Sequence, residues 1–247
     1  MAKIISIFNH KGGVGKSTSV SAISAALVEQ GKRVLMIDLD PQSNLTTSFL
    51  QQEQDRTIYE AFIEGKKLPI VEVSLMLHIV PASLEHSATE IAISTKMQRE
   101  AILKKLLAPV EADYDYILLD CPPSLGLISI NALVASHKVY VPITAEILPT
   151  RGLRMLTDII GQVQEGLNPD LYIGGIILTR WENSNLSRDI EASLRATFGD
   201  AVFKTKIRKN IAIAEAPSTF QSILEYAPDS NGAKDYRALA KEILTKE

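Results

Sequence analysis

One cysteine, one tryptophan and four histidines occur in 247 residues. The lone thiol, Cys121, excludes an intramolecular disulfide and points to a reducing compartment. It also leaves too few thiols for a Cys-x-x-Cys zinc site or an iron–sulfur cluster. No uncharged apolar run approaches the ~18 residues of a membrane span. Met1-Ala2-Lys3 passes directly into an apolar run, so no signal peptide is expected. Only ten residues precede Lys11, too few for a helix-turn-helix ahead of the motifs below. Excess positive charge is missing too. The net charge is -3, so any nucleic-acid binding must come from a local basic patch. Linkers, low-complexity tracts and internal repeats are absent, and one domain over 1–247 is the simplest expectation.

What is present is a rhythm. Strand-like runs at Lys3–Phe8, Arg33–Asp38, Leu77–Pro81, Tyr116–Asp120, Lys138–Pro142 and Tyr172–Thr179 are apolar without alternation, as strands buried on both faces are. Helical patterns separate them at Thr18–Gln30, Ser87–Leu107, Gly126–Ser136, Thr150–Leu167 and Leu186–Phe198. A short strand near Val202–Thr205 and a helix over Gly232–Leu244 follow. The alternation predicts a doubly wound α/β fold, a mostly parallel sheet with helices on both faces. Residues 51–73 are the least regular, with a short helix expected at Thr57–Glu64.

The first strand runs into His10-Lys11-Gly12-Gly13-Val14-Gly15-Lys16-Ser17-Thr18, and a helix follows. Strand, glycine loop and helix form a phosphate cradle. Gly12, Gly13 and Gly15 let backbone N–H groups converge on phosphate oxygens. Lys16 supplies a cation to the β and γ phosphates, Ser17 a hydroxyl to Mg²⁺, and Thr18 a hydroxyl to the α-phosphate. Lys11 has no place in the ordinary pattern. The second strand ends in Asp38-Leu39-Asp40-Pro41-Gln42, with the two carboxylates on one face if the strand continues. One can reach the Mg²⁺ shell while the other approaches an attacking water. Tyr116–Asp120 is an apolar strand ending in a carboxylate, suited to hold Mg²⁺ through water.

Lys11–Thr18, Asp38–Gln42 and Asp120-Cys121-Pro122-Pro123-Ser124 together resemble the three boxes of the ParA/MinD family of deviant Walker A ATPases. Glu215-Ala216-Pro217-Ser218 and Gly232-Ala233-Lys234-Asp235-Tyr236 are similar to the ParA/Soj partition branch, so the likeness spans the chain. The resemblance implies a P-loop fold, ATP and Mg²⁺ as cofactors, and a homodimer formed on ATP. It implies that Lys11 reaches the partner's phosphates, that Asp40 activates the hydrolytic water, and that Asp38 and Asp120 serve the metal. Thr179-Arg180 and Ile207-Arg208-Lys209-Asn210 resemble segments that contact adenine. It also implies non-specific binding of double-stranded DNA, a ParB-like centromere-binding partner, and a cytoplasmic, nucleoid-associated protein.

DNA phosphates require cations. Lys204, Lys206, Arg208 and Lys209 form an acid-free run; Lys234, Arg237 and Lys241 can add to it from one helix face, and Arg151 with Arg154 forms a second cluster. The family usually carries Arg where Ala212 stands, so this chain must use other basic residues or bind DNA more weakly. A MinD-like membrane ATPase is the nearest alternative, and a ParA-like ATPase that positions a protein cargo is another. Against a membrane role, Tyr236, Leu239, Ala240 and Ile243 suffice to pack a final helix on the core, while Glu242 and Glu247 disfavour anionic lipid. An iron–sulfur carrier fits a single cysteine poorly, and no acceptor pocket for a small-molecule kinase or ligase is evident.

Overall fold

The computed structural model describes residues 1–145 and 150–246, with the backbone alone at 150 and 151. Strands are β1 (Lys3–Ile7), β2 (Val34–Asp38), β3 (Val71–Ser74), β4 (Leu77–Val80), β5 (Tyr116–Asp120), β6 (Lys138–Thr144), β7 (Tyr172–Trp181) and β8 (Val202–Arg208). Helices are α1 (Lys16–Glu29), α2 (Asn44–Thr47), α3 (Ile58–Glu64), α4 (Thr89–Ile93), α5 (Ile102–Leu107), α6 (Leu127–Ala135), α7 (Thr150–Gly166), α8 (Asn185–Phe198), α9 (Ile211–Glu215), α10 (Ile223–Tyr226) and α11 (Asn231–Lys246).

The strands form one eight-stranded sheet in the order β3-β4-β2-β5-β1-β6-β7-β8. Every pairing is parallel except β3 with β4. The expected mostly parallel α/β sheet is therefore present. Each central strand feeds both faces. Ile4 and Phe8 enter the core under α3–α8, whereas Ile5 and Ile7 enter the core under α1 and α11. That is the period of two expected of a doubly covered strand.

Two expectations change. The pattern over Ser87–Leu107 is not one helix but α4 and α5, with Gln98 between them at φ 53°. Asn131 of α6 explains the break. Its amide donates to the Arg99 carbonyl at 2.8 Å, and its Oδ1 accepts the Leu103 N–H at 3.1 Å. Residues 51–73 contain α3, begun by a Thr57–Glu60 capping box and ended by Gly65 at φ 67°, and also the unanticipated β3.

The edge strand β8 is closed by α11. Glu242 accepts the N–H groups of Lys204 and Thr205 at 2.7 and 2.9 Å, and Asp235 accepts that of Arg208 at 2.9 Å. A carboxylate that accepts edge N–H groups blocks pairing with another strand. Gly232 gives a close approach, since a Cβ there would meet Ile213 Cγ1 at 2.7 Å and push that side chain aside. Tyr236 is buried, with its hydroxyl 3.2 Å from that of Ser19. The Gly232–Tyr236 segment is thus the joint that seats α11 on α1 and β8.

Candidate nucleotide site and basic face

Register places the acidic groups. Asp38 pairs with Asp120 across β2–β5, and Ile7 pairs with Asp120 across β1–β5. Three adjacent parallel strands therefore end at one level. Asp38 shares the parity of Val34 and Met36, which lie in the core under α1, and Asp120 shares that of Tyr116 and Leu118 in the same core. Both carboxylates consequently rise on the side where the glycine loop turns from β1 into α1. This is the carboxyl edge at which open α/β sheets bind ligands.

The loop itself uses two left-handed glycines, Gly13 at φ 72° and Gly15 at φ 88°. Gly15 precedes α1 without any side-chain cap, so the first N–H groups of a 14-residue helix remain available to an anion. Ser17 and Thr18 stand half-buried on that first turn, and Val14 is buried. The Lys16 ammonium donates to the Lys11 carbonyl at 3.4 Å. Burial lowers the Lys16 pKa, opposed chiefly by the charge of Asp120.

Lys11 is fixed at its backbone and free at its tip. Its N–H donates to Asn9 Oδ1 at 3.0 Å, and Asn9 Nδ2 donates to the Pro142 carbonyl of β6 at 2.8 Å. The Lys11 side chain is exposed, and its ammonium has no partner among the described residues.

Asp38 is wholly buried. It accepts the Thr46 hydroxyl at 2.7 Å, the Thr46 N–H at 2.8 Å and the Asp40 N–H at 3.1 Å. Burial nevertheless pushes its pKa up to about 6, with the hydrogen bonds from Thr46 opposing. Asp40, 7% exposed, accepts the Gln42 N–H at 3.0 Å. Neither oxygen of Asp120 has a donor in bonding geometry among the described residues. Burial raises its pKa well above the ordinary aspartate value, reinforced by Asp38, while Ser17 and the charge of Lys16 oppose in part. A buried carboxylate with two unsatisfied oxygens is costly and rare. This donor set fits a hydrated cation. No three His, Cys, Asp or Glu side chains converge into a protein cage among the described residues. Mg²⁺ would take Ser17, phosphate oxygens and waters, which suits an ion that dehydrates reluctantly.

The expected base contacts sit close by but are otherwise engaged. The Thr179 hydroxyl, at the end of β7, donates to the Val14 carbonyl at 2.9 Å. Arg180 is exposed at φ 50° and contributes to lowering the pKa of Glu182, whose main cause is Lys209. Arg208 grips Asp235 of α11 through three side-chain hydrogen bonds of 3.2, 2.9 and 2.6 Å.

The basic run is interrupted by acids from elsewhere in the chain. Lys206 lies 2.5 Å from Glu191 and 4.3 Å from the centroid of the Trp181 ring. Lys209 pairs with Glu182 at 2.9 Å, and Arg237 with Glu29 at 2.7 Å. Lys204, Lys234 and Lys241 are exposed, and their ammonium groups have no partner among the described residues. Arg154 is exposed on α7; the side chain of Arg151 lies outside the described residues. Cys121 is buried and its thiol is pushed up to about 12, so it is an inert core residue. Sequence reasoning missed Asn9 and Thr46, which hold Lys11 and Asp38. Asn9 carried a signal, as a polar residue closing an apolar strand directly before a glycine loop.

A family model described as "AAA domain" matches residues 2–173. The chain is 39% identical to the sporulation initiation inhibitor protein Soj of Bacillus subtilis, over 98% of each chain. It is 36% identical to the chromosome-partitioning ATPase Soj of Treponema pallidum, over 100% of this chain and 99% of that one. Among solved structures, a cobyrinic acid a,c-diamide synthase from Mycobacterium smegmatis with bound ADP and magnesium matches with a TM-score of 0.86. The identity is 32%, covering 99% of this chain and 94% of that one.

Proposed function

This chain belongs to the Soj/ParA family of P-loop ATPases, and from that premise we propose that it is a DNA-partition ATPase of one domain whose ATP-bound form is a homodimer. ATP lies along the glycine loop, its phosphates facing the N–H groups of residues 12–18 and the Lys16 ammonium. Mg²⁺, when bound, neutralises phosphate charge and aligns the oxygens of the terminal phosphoryl group. Ser17 would supply a protein oxygen to it and Asp120 would accept from its waters, while Asp38 with Thr46 keeps that wall rigid. Asp40 orients and activates the attacking water. Asn9 holds Lys11 at the loop's entrance with its ammonium directed outward to the partner subunit's ATP.

The observation that carries this reading is the state of Lys11, braced at the backbone and unpaired at the charge. A cation that served its own phosphates would be drawn inward, as Lys16 is. A synthase reading finds less support. The cavity beside α1, about 430 Å³ and lined by Ser17, Thr18, Asn44, Ser218 and Phe220 among others, has no charged residue in its wall to bind an acidic acceptor. A membrane reading also finds less. No helix among the described residues is long and apolar enough to cross a bilayer. The apolar stripe of α11 (Tyr236, Leu239, Ala240, Ile243) is already buried against the core.

The dimer presents Lys204, Lys234 and neighbouring cations to DNA phosphates without regard to sequence, in the cytoplasm and on the nucleoid. A ParB-like partner stimulates hydrolysis and so releases the DNA. Co-sedimentation with non-specific duplex DNA tests this. Retention should require ATP rather than ADP and fall steeply with salt. Retention on anionic vesicles in place of DNA would overturn it.

A further inference from the structure

The sequence likeness puts Thr179 among groups that touch the base, yet its hydroxyl is spent on the phosphate loop. Thr179 is 4% exposed, and its Oγ1 donates to the Val14 carbonyl at 2.9 Å. Its Cγ2 lies 3.9 Å from where a Cβ on Gly15 would stand. The hydroxyl branch therefore holds a single peptide unit, Val14–Gly15, while the methyl branch lies beside Gly15. That unit is planar and trans, so its carbonyl and its N–H point in opposite directions. Fixing the Val14 carbonyl toward β7 turns the Gly15 N–H away from β7. That N–H has no acceptor among the described residues. Gly15 at φ 88° has backbone freedom that a loop without a brace would explore.

We propose that Thr179 is a positioning residue for the triphosphate: it acts through the Val14 carbonyl to hold the Gly15 N–H in the direction of a phosphate oxygen. The brace is long-range, from the seventh strand to the first loop. It ties the quality of the phosphate cradle to the seating of β7 beside β6. The inference rests on the ATPase reading above and concerns which part of the nucleotide Thr179 serves.

The test compares Mg²⁺–ATP with Mg²⁺–tripolyphosphate, which has phosphates and no base, by titration calorimetry. Thr179→Val keeps the branched shape and deletes the donor. It should weaken ATP and tripolyphosphate by the same factor, about tenfold, the scale of one lost hydrogen bond that leaves a buried carbonyl unpaired. Thr179→Ser should return both to within about threefold of wild type. A thermal melt without ligand shows whether each variant is folded; Thr179→Cys, similar in size and a poor donor, replaces the valine variant if that one is not. Loss of ATP binding with tripolyphosphate unchanged would overturn the inference and return Thr179 to the base. Unchanged binding of both ligands to a folded valine variant would overturn it as well. A wild-type protein that bound neither ligand would overturn the ATPase reading itself, a distinguishable result.

Discussion

The phosphate loop and the β8–α11 face are both rich in charge, and they treat part of it in opposite ways. At the loop, the exposed Lys11 ammonium is free, and the oxygens of buried Asp120 find no donor in bonding geometry among the described residues. At β8 and α11, Lys206, Arg208, Lys209 and Arg237 each meet a carboxylate within 3 Å. A buried carboxyl without donors destabilises a fold and survives where a ligand completes it. Paired charge at a surface is largely structural and contributes little energy. The difference separates a site awaiting its ligand from a face whose cations have in part been committed to holding an edge strand.

The largest expected effect lies at the loop. Asp40→Ala should lower ATP turnover by about a hundredfold or more, the scale of a lost general base, and leave ATP binding intact. Stopped hydrolysis with a persistent ATP-bound dimer is the expected pair of results. Hydrolysis within threefold of wild type would remove Asp40 from the chemistry.

Acid titration gives the next largest. Burial raises Asp38 from 3.8 to about 6. Between those values the native chain keeps a proton that the unfolded chain has lost, so stability falls as pH rises through that window. Its contribution is favourable below about pH 4 and gone above about pH 6. Asp120 is raised in the same direction. Asp38→Asn removes that dependence. In urea melts of the nucleotide-free protein, the stability of the variant relative to wild type should climb between about pH 4 and about pH 7. The rise is on the order of 3 kcal/mol. A pH-independent difference would contradict the burial account.

A smaller effect is expected where charge is paired. Asp235 is 8% exposed and accepts the Arg208 backbone N–H as well as its guanidinium. Asp235→Ala should cost about 1–3 kcal/mol in a urea melt, since it strands both groups. Arg208→Ala, whose side chain is 46% exposed, should cost about 1 kcal/mol or less because solvent already screens it. Equal costs would mean that Asp235 serves the ion pair alone and not the edge.

The smallest effect compares two lysines one turn of the pleat apart. Lys204 is exposed and unpaired among the described residues; Lys206 is tied to Glu191 and Trp181. Lys204→Ala should weaken DNA binding uniformly across sequences and reduce the salt slope by about one ion. Lys206→Ala should leave that slope nearly unchanged. The reverse ranking would mean that the carboxylate partners release their cations to DNA.

The same contrast governs what the sequence disclosed. The loop, the strand-end carboxylates and the parallel sheet were legible because each is written in contiguous residues. A glycine loop after an apolar run and before a helix has few other solutions, and Asp38 and Asp120 declare themselves by ending apolar strands. The fate of the basic run was not legible. The acids that meet it, Glu29, Glu182, Glu191 and Asp235, come from other elements, and Glu29 stands 208 positions from Arg237. Thr179 was expected among the adenine contacts, whereas its hydrogen bond to the Val14 carbonyl depends on β6 alone separating β7 from β1, a fact of strand order. The break between α4 and α5 depends on Asn131 reaching in from α6, and β3, a four-residue strand of half-exposed Val71-Glu72-Val73-Ser74, has too few apolar residues to announce itself.

The central claim is that Lys11 acts on the neighbouring subunit's nucleotide. Light scattering after size exclusion, with Mg²⁺–ATP and the Asp40→Ala background to suppress turnover, measures it directly when nucleotide content is assayed in the same peak. The account predicts a nucleotide-loaded dimer with Lys11 present, and a monomer that still carries ATP once Lys11→Ala is added. A dimer that persists without Lys11, or a monomer that has lost its ATP, would contradict it.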